Sequence, residues 1–473
     1  MPFLLRVFLG LAVAFGTQAQ AQAQTPPPPF VASAPLNLML KNAQWFDGQA
    51  FKRGTLYVVD GKFTLQKPKR VNRSMDLKNQ FLIPPLAEAH NYNLQNDWGA
   101  SNFTSRYMQD GVFYAAMLCD DPANADPLRE RFRTPETPDV LFVTACVTSS
   151  DGQPLPALVA TSPGKTRTDF VDKAVIVMDK PEDVERKWPL IASRKTDVLR
   201  LMLGYSGRQG LTPETAAALT ARAHKEGLRV FAHVETAADF NAALRAGVDV
   251  IDHIPGYANA LNEPPERFAL NAESIALAIK QNTAVVTGIA ASTLFKLKPA
   301  QAEVFKQNLQ VLKAAGVTLL AGSDLFNGTV QAELRTLASS GVFTPTELLK
   351  MATITTPRAL YPKRQIACFE EGCEASFLLL AQDPLKDIDA AMQPLLRVKQ
   401  GRLLTQNEEV AEGADASSFG TDQPAKGKGK GKATGKTTTK KKPAAKKAAA
   451  PAQSQGKAKP QPKAKGKPAS SPQ

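Results

Sequence analysis

Three of the four histidines in this chain follow short apolar runs that are typical of buried β-strands. His90 follows the first such run, His233 lies in the fifth and His253 in the sixth, and the carboxylate Asp324 ends the eighth. Neutral imidazoles and a carboxylate are the ligands that a divalent, zinc-like ion prefers in proteins. These four residues predict a metal site. The alternative, that the three histidines are ordinary core residues placed by packing alone, explains their positions less well. The remaining histidine, His224, lies within a helical segment, and we interpret it as a surface residue.

The elements that must position these side chains alternate regularly along the chain. Eight apolar runs are separated by polar or helical segments, which is the pattern of a (β/α)8 TIM barrel. The runs cover residues 81–86, 112–118, 140–147, 198–204, 228–234, 248–254, 284–290 and 317–324. Because the carboxyl ends of barrel strands meet at one face, this fold would bring the candidate ligands together. A doubly wound open sheet is the alternative fold.

Short alternating runs on both sides of the barrel region indicate a second, smaller unit. Asp60 and Gly61 mark a hairpin turn between two of the early runs, and residues 395–404 have the same alternating character. We expect strands from the two flanks to pair in one β-sandwich. The predicted organisation is a signal peptide (1–23), a Pro-rich linker (24–35), a composite β-sandwich (36–84 and 362–405), the barrel (85–361) and a disordered Lys-rich tail (406–473).

Residues 1–23 have the parts of a secretory signal peptide. Arg6 supplies a positive charge, residues 7–17 are apolar, and small residues from Ala19 to Ala23 offer cleavage sites. The apolar run is too short to span a bilayer comfortably, and a retained anchor is the alternative. We therefore expect a periplasmic or secreted protein from which the leader has been removed.

The four cysteines fit an oxidising compartment, where an even number permits two disulfides. Three pairings are possible. Cys119 and Cys146 lie at the ends of successive apolar runs, so we expect these two to pair, and Cys368 to pair with Cys373. Buried thiols are the alternative.

The formal charge of +14 belongs to the end of the chain. Residues 421–473 hold 15 lysines and a single acid, Asp422, so the rest of the chain is neutral. A neutral body excludes the basic footprint of a protein that reads nucleic-acid sequence. The tail has lysines on small-residue spacing without arginine or aromatic residues, which predicts salt-sensitive contact with anionic envelope surfaces or other polyanions. A solvated, disordered tail is the plainer interpretation.

The motifs around the candidate ligands resemble the amidohydrolase superfamily, in its imidazolonepropionase- and prolidase-like branch. The residues that carry the resemblance are Pro84 to Tyr92 (PPLAEAHNY), 232–256 (AHVETAADFNAALRAGVDVIDHIPG), Asp324 in AGSD, 348–360 and 370–385. The resemblance spans about residues 36–405. It implies a small-molecule substrate, hydrolysis of a C–N bond (a non-peptide or dipeptide amide) or an ester, and divalent metal ligation, with zinc as the expected ion, by His90, His233, His253 and Asp324.

Two residues depart from that family's pattern. Tyr92 stands where the family has the second histidine of an HxH pair, and Arg200 stands where it has a metal-bridging lysine. A guanidinium stays protonated and offers no lone pair to a metal. We therefore expect one metal rather than two, held by His233 and His253, with His90, Asp324, Glu235 or no side chain as the third ligand.

Two functions follow from this pattern. In the first, Asp324 acts as general base and Arg200 stabilises the oxyanion of a mononuclear hydrolase. In the second, the barrel has lost metal and catalysis, and binds a small molecule or an envelope partner.

Overall fold

The computed structural model of this protein describes residues 26–204, 210–256, 263–294 and 297–406. The predicted signal peptide, the first residues of the predicted linker and the predicted tail beyond residue 406 lie outside the described residues. In the described part of the chain, no helix has the length and apolar character needed to cross a membrane.

Nineteen strands and eleven α-helices are found in these ranges. In chain order the strands are β1 (Phe30–Ala32), β2 (Leu38–Phe46), β3 (Phe51–Val59), β4 (Lys62–Thr64), β5 (Arg73–Asp76), β6 (Phe81–Ile83), β7 (Leu86–Asn91), β8 (Val112–Met117), β9 (Asp139–Phe142), β10 (Ala145–Thr148), β11 (Ile176–Val177), β12 (Leu199–Met202), β13 (Val230–His233), β14 (Val250–Ile251), β15 (Ala284–Val286), β16 (Leu319–Leu320), β17 (Phe377–Leu380), β18 (Leu396–Lys399) and β19 (Arg402–Gln406). The helices are α1 (Asp97–Gln109), α2 (Pro122–Arg131), α3 (Leu155–Thr161), α4 (Asp183–Ser193), α5 (Pro213–Lys225), α6 (Ala237–Ala246), α7 (Ala272–Gln281), α8 (Pro299–Ala314), α9 (Val330–Ser339), α10 (Pro345–Lys350) and α11 (Thr356–Leu360), with a π-helical turn (Met351–Thr355) between the last two.

Strands from both flanks of the chain form one nine-stranded sheet, the predicted β-sandwich region. Its order is β1-β19-β18-β17-β6-β2-β3-β4, with β5 beside β2. The sheet curves over its own core, because Phe63 of β4, at one end of the order, lies 5.9 Å from Phe377 of β17 between ring centroids. The apolar side chains of β2, β3 and β17 fill the space between.

Two segments differ from the sequence expectation. Phe30–Ala32, placed in the Pro-rich linker, form an edge strand antiparallel to β19, because Phe30 is apolar and packs beneath the Arg397 guanidinium. Phe81–Ile83, counted in the first predicted barrel run (81–86) although the predicted sandwich bounds (36–84) include them, belong to the sandwich sheet between β17 and β2. The barrel begins after Pro84 and Pro85, because proline cannot donate to a ladder hydrogen bond and so interrupts the strand.

The barrel has eight strand positions, as predicted, and two short strands share the third position. The predicted run 140–147 forms two strands: β9 pairs with β8, and β10 pairs with β12. The barrel therefore consists of a three-stranded sheet, β7-β8-β9, and a sheet that runs from β10 through β12 to β16, with β11 at its outer edge. The ring closes where Ala89 N–H donates to the Ala321 carbonyl at 2.9 Å. This closure rules out the open doubly wound sheet.

Local sequence explains where the barrel helices begin and end. The side chain of Thr212 accepts a hydrogen bond from Thr215 N–H at the start of α5, with Pro213 at its first position. Helix α6 starts in a capping box of Thr236 and Asp239 and ends at Gly247, whose φ of +80° suits glycine. These caps place both helices between successive barrel strands.

Both expected disulfides are present. Cys119 is bonded to Cys146 in the barrel, and Cys368 to Cys373 in the sandwich region. The described chain has no unpaired cysteine.

Candidate functional site

The carboxyl ends of the barrel strands bring the candidate residues to one face. His90 lies at the end of β7, Arg200 in β12 and His233 at the end of β13. His253 follows β14, and Asp324 follows β16. The His90 and His253 rings are stacked with centroids 5.9 Å apart, and those of His233 and His253 are 4.6 Å apart. His224 lies apart from them, on the exposed face of α5, where it pairs with Asp249.

Three of these side chains form a compact set of metal-ligand atoms. One donor atom each from His233, Glu235 and His253 lies within 4.8 Å of the others. Nε2 of His253 is 2.8 Å from Nδ1 of His233, and Nε2 of His233 is 3.0 Å from a carboxylate oxygen of Glu235. Burial, together with the neighbouring His233, His90 and Arg200, lowers the pKa of His253 well below its usual value. The neutral imidazole that results is the form that binds a metal, so this donor set fits a divalent ion.

His90 and Asp324 form a pair beside that set. Nε2 of His90 is 3.1 Å from Oδ1 of Asp324 and 2.8 Å from the Tyr92 hydroxyl, while Nδ1 faces the Asp252 carbonyl at 2.9 Å. A carbonyl only accepts, so Nδ1 carries a proton. Burial opposes a charge on His90, but Asp324 outweighs it and raises the pKa of His90 well above its usual value. The structure thus pairs two of the predicted ligands with each other, next to the set of His233, Glu235 and His253.

Asp324 reaches His90 through an unusual backbone turn. Its φ is +52°, in the left-handed region that aspartate tolerates better than most residues. Its N–H donates to the His90 carbonyl at 2.8 Å, which fixes the turn. The Asp324 side chain is 12 % exposed and remains within reach of a small molecule.

Arg200 forms a buried cation at the position where the superfamily has a metal-bridging lysine. Its Nε donates to Oδ2 of Asp252 at 2.6 Å, and its Nη1 lies 3.3 Å from both the Tyr92 hydroxyl and Sγ of Cys119. Burial opposes the guanidinium charge, but the attraction of Asp252 outweighs it and raises the pKa of Arg200. Nη2 of Arg200 and Oδ1 of Asp252 are buried without a hydrogen-bond partner among the described residues.

Glu88 links this site to the place where the barrel closes, between β7 and the segment after β16. One of its carboxylate oxygens accepts from the N–H groups of Ser323 and His90, at 2.8 Å and 3.1 Å, and the other accepts from the Ser323 hydroxyl at 2.7 Å. Complete burial raises the pKa of Glu88 to about 7. The carboxylate holds the residue before Asp324 against the strand that carries His90.

Residues 159–404, more than half of the chain, match the family model described as the amidohydrolase family. The chain belongs to the amidohydrolase family.

Other members of the family are similar to this amidohydrolase over part of its length. Ochratoxinase of Aspergillus niger is 27% identical over 234 residues, which cover 46% of this chain and 48% of that protein. The match thus spans about half the length of the curated relative.

Several solved structures share the fold. The structure of A. niger ochratoxinase has a TM-score of 0.63 and 19% identity, covering 78% of this chain and 96% of that one. A Xaa-Pro dipeptidase with bound methionine has a TM-score of 0.64 and 17% identity, covering 78% and 100%. Phenylurea hydrolase B has a TM-score of 0.61 and 16% identity, covering 78% and 96%. These likenesses show the amidohydrolase fold, a TIM barrel with a β-sandwich region.

Two contacts of this amidohydrolase were missed in the sequence. Tyr92, interpreted only as a lost ligand, places its hydroxyl between His90 and Arg200 and stacks its ring on Phe326 at 5.0 Å. Glu88 had no assigned role. Its position in the HxH-like motif was the available signal, because a buried acid next to a predicted strand end requires partners.

Proposed function

We propose that this protein is a metal-dependent hydrolase of the amidohydrolase type that cleaves an amide (C–N) or ester bond with one divalent ion, zinc being the ion that the donors favour. The observation that carries the proposal is the buried set of His233, Glu235 and His253 donors next to the His90–Asp324 pair. A catalytic zinc site commonly has three protein ligands and one open position. Membership of the amidohydrolase family also supports a metal-dependent hydrolase.

In this proposal His233, His253 and Glu235 hold the ion. When bound, the ion would supply a Lewis acid that polarises the substrate carbonyl and eases deprotonation of the attacking water. The protein's own contribution is to keep His253 neutral by burial and to direct Glu235 towards His233 at 3.0 Å.

Asp324 serves as the general base. Its partly exposed carboxylate takes the proton of the attacking water and passes it to the leaving nitrogen or oxygen. The protonated His90, 3.1 Å away, holds this carboxylate in place.

Arg200 stabilises the developing oxyanion. Its guanidinium remains charged because Asp252 compensates its burial, and Nη2 has no partner among the described residues. A fixed cation with an unpaired donor can take the role that the second metal has in binuclear members of the superfamily.

The substrate class is inferred from the names of similar proteins and from the shape of the site. A dipeptidase and a phenylurea hydrolase share the fold, and the names of both describe hydrolysis next to nitrogen. Phe326, which is 51 % exposed, and the ring of Tyr92 provide an apolar surface beside the polar residues. A small amide with an apolar group is therefore the substrate that we expect.

Metal content tests this proposal. Protein purified without chelator should contain close to one zinc, manganese or iron ion per chain, and His253→Ala should lose it, whereas His224→Ala, on the exposed face of α5, should keep it. Protein without metal that also shows no thermal shift with these ions would overturn the proposal.

A metal-free binding protein is the second candidate. The observation that favours it is the Arg200–Asp252 ion pair, which lies where the superfamily has a metal-bridging lysine. In that case the purified protein would lack metal and bind small amides without turnover.

We also infer that the protein works in the periplasm or outside the cell, with a tail that contacts anionic surfaces. The two disulfides support an oxidising compartment, and the 15 lysines of residues 421–473 support the contact. A chain that ends at residue 420 should elute from heparin at lower salt than the whole chain. Equal retention would contradict the role of the tail.

A further inference from the structure

The site residues are divided between the two sheets of the barrel. His90 ends β7 in the three-stranded sheet, and Tyr92 follows it, whereas Arg200 and His233 lie in the larger sheet. The two sheets separate at the third strand position of the barrel, between Phe142 and Ala145, where β9 ends and β10 begins. The contact between Tyr92 and Arg200 therefore joins two sheets that are hydrogen-bonded to each other where the ring closes and that separate at the third strand position.

A disulfide crosses this point of separation on the side of the site. Cys119 follows β8 of the small sheet, and Cys146 lies in β10 of the large sheet. In the parallel pairing of β10 with β12, Cys146 is the register partner of Arg200. Cys119 adopts a left-handed backbone with φ of +62°, which few non-glycine residues do, and its Sγ lies 3.3 Å from Nη1 of Arg200.

Arg200 depends on its neighbours for a defined position. A long guanidinium side chain loses considerable rotamer freedom when it is fixed, so it holds one geometry only if its surroundings impose it. Asp252 binds Nε, while Nη1 faces Tyr92 and the disulfide sulfur. Of these three contacts of Arg200, the disulfide is the one in which a bond between two side chains links the small sheet to the large one.

We propose that the Cys119–Cys146 disulfide is a positioning element of the site, which holds the Arg200 guanidinium against Tyr92 by joining the two sheets. This inference rests on the proposed function, in which Arg200 stabilises the oxyanion. The disulfide touches no substrate; it acts through Arg200. The Cys368–Cys373 disulfide, in the sandwich region, has no such role and provides a matched control.

The test compares the two disulfides in the whole protein. The pair Cys119→Ala and Cys146→Ala avoids burying a hydroxyl next to Leu155 and Val175, and the pair Cys119→Ser and Cys146→Ser is the second variant in case the first folds poorly. With an N-acetyl amino acid that the wild type hydrolyses, kcat should fall about 100-fold, as expected when a reacting group is displaced by about an ångström. KM and metal content should stay as in the wild type. The pair Cys368→Ala and Cys373→Ala should keep kcat within about twofold of the wild type.

A double-mutant cycle with Arg200→Lys separates positioning from general stability. If the disulfide acts through Arg200, removing it in the Arg200→Lys background should cost no further activity. Losses that multiply in the combined variant, or an unchanged kcat after removal of Cys119–Cys146, would overturn the inference.

A second readout does not depend on catalysis. Amide hydrogen exchange in β12 should be faster without Cys119–Cys146 than without Cys368–Cys373. If the wild type proves inactive on every amide and ester probe and binds no metal, the proposed function fails, and this exchange comparison still shows whether the disulfide fixes the strand that carries Arg200. Equal exchange in the two variants would overturn the inference.

Discussion

Asp324 and His90 contact each other twice. The N–H of Asp324 donates to the His90 carbonyl at 2.8 Å, and Oδ1 of the same aspartate lies 3.1 Å from Nε2 of the same histidine. The first contact belongs to the closure of the barrel between β7 and the segment after β16, and the second belongs to the site. Closing the ring therefore also positions the proposed base.

Replacing Asp324 should separate catalysis from metal binding. Asp324→Asn removes the charged proton acceptor but keeps the shape of the side chain, so kcat should fall by about 10²- to 10⁴-fold. Metal content should not change, because the proposed ligands are His233, Glu235 and His253, and Asp324 is not among them. Asp389→Asn, at a half-exposed acid paired with Arg335, is the control and should retain activity. Activity retained in Asp324→Asn would exclude it as the base.

Replacing Glu235 should weaken the metal directly. Glu235→Gln removes the anionic ligand beside His233, and zinc affinity, measured by competition with a chromogenic chelator, should fall by more than the roughly 10- to 100-fold typical of a lost supporting hydrogen bond. Glu226→Gln, at an exposed carboxylate paired with Arg222 on the same barrel, should leave affinity unchanged. Equal affinities in the two variants would assign the third ligand elsewhere.

Glu333 should make stability depend on pH. Burial raises the pKa of Glu333 to about 7 from 4.5, despite hydrogen bonds from the Thr287 hydroxyl and the N–H groups of Ile289 and Ala290. Between these pH values the folded state holds a proton that the unfolded state has lost, so this group lowers the free energy of unfolding as pH rises from about 4.5 to 7, by about 3 kcal/mol.

Urea unfolding of wild type and Glu333→Gln at several pH values checks this. The difference between the two free energies should change across that window and level off on both sides. Glu88, whose pKa is raised to the same range, is present in both proteins, so the difference between them reports Glu333 and its electrostatic interaction with Glu88. The exposed Glu273→Gln should run parallel to the wild type; parallel curves for Glu333→Gln would contradict the prediction.

Phe326 should select substrates. Its exposed ring stacks on Tyr92, and the loop that carries it is held by the hydrogen bond from Nδ2 of Asn93 to the Gly328 carbonyl at 2.7 Å. An aromatic contact contributes about 0.5–1.5 kcal/mol, so Phe326→Ala should raise KM about 2- to 10-fold for amides with an aromatic group and less for aliphatic ones. Trp98→Ala, at another exposed aromatic residue, should affect both groups of amides equally. An equal rise in KM for both groups with Phe326→Ala would argue against a selective role.

Much of the site could be predicted because barrel geometry turns sequence order into spatial position. His90, His233, His253 and Asp324 follow strand-like runs, and parallel strands in a barrel end at one face. What separates ligands from their neighbours depends on loop conformation. The left-handed turn at Asp324 directs it to His90, and the loop after β13 directs Glu235 to His233; neither is encoded in apolar periodicity.

The contacts of Arg200 could not be predicted for a different reason. Tyr92, Cys119 and Asp252 come from three separate strand ends, and the chemistry of a buried cation follows only from their joint arrangement. The sheet to which a short strand belongs likewise depends on the strands with which it pairs. Phe81–Ile83 fall both in the first apolar run (81–86) and within the predicted sandwich bounds (36–84), and their pairing with Leu378 to Leu380 assigns them to the sandwich.

The pairing of β1 with β19 has a consequence for how the protein reaches its folded state. Phe30 aligns with Gln406, so the first strand of the described body finds its partner only after almost all of the body has been synthesised and, if exported, translocated. Pairings of such long sequence separation form slowly, since the intervening chain must first be ordered. A nascent chain released before Arg402 would leave Phe30–Ala32 and β18 as unpaired sheet edges, prone to associate with other chains.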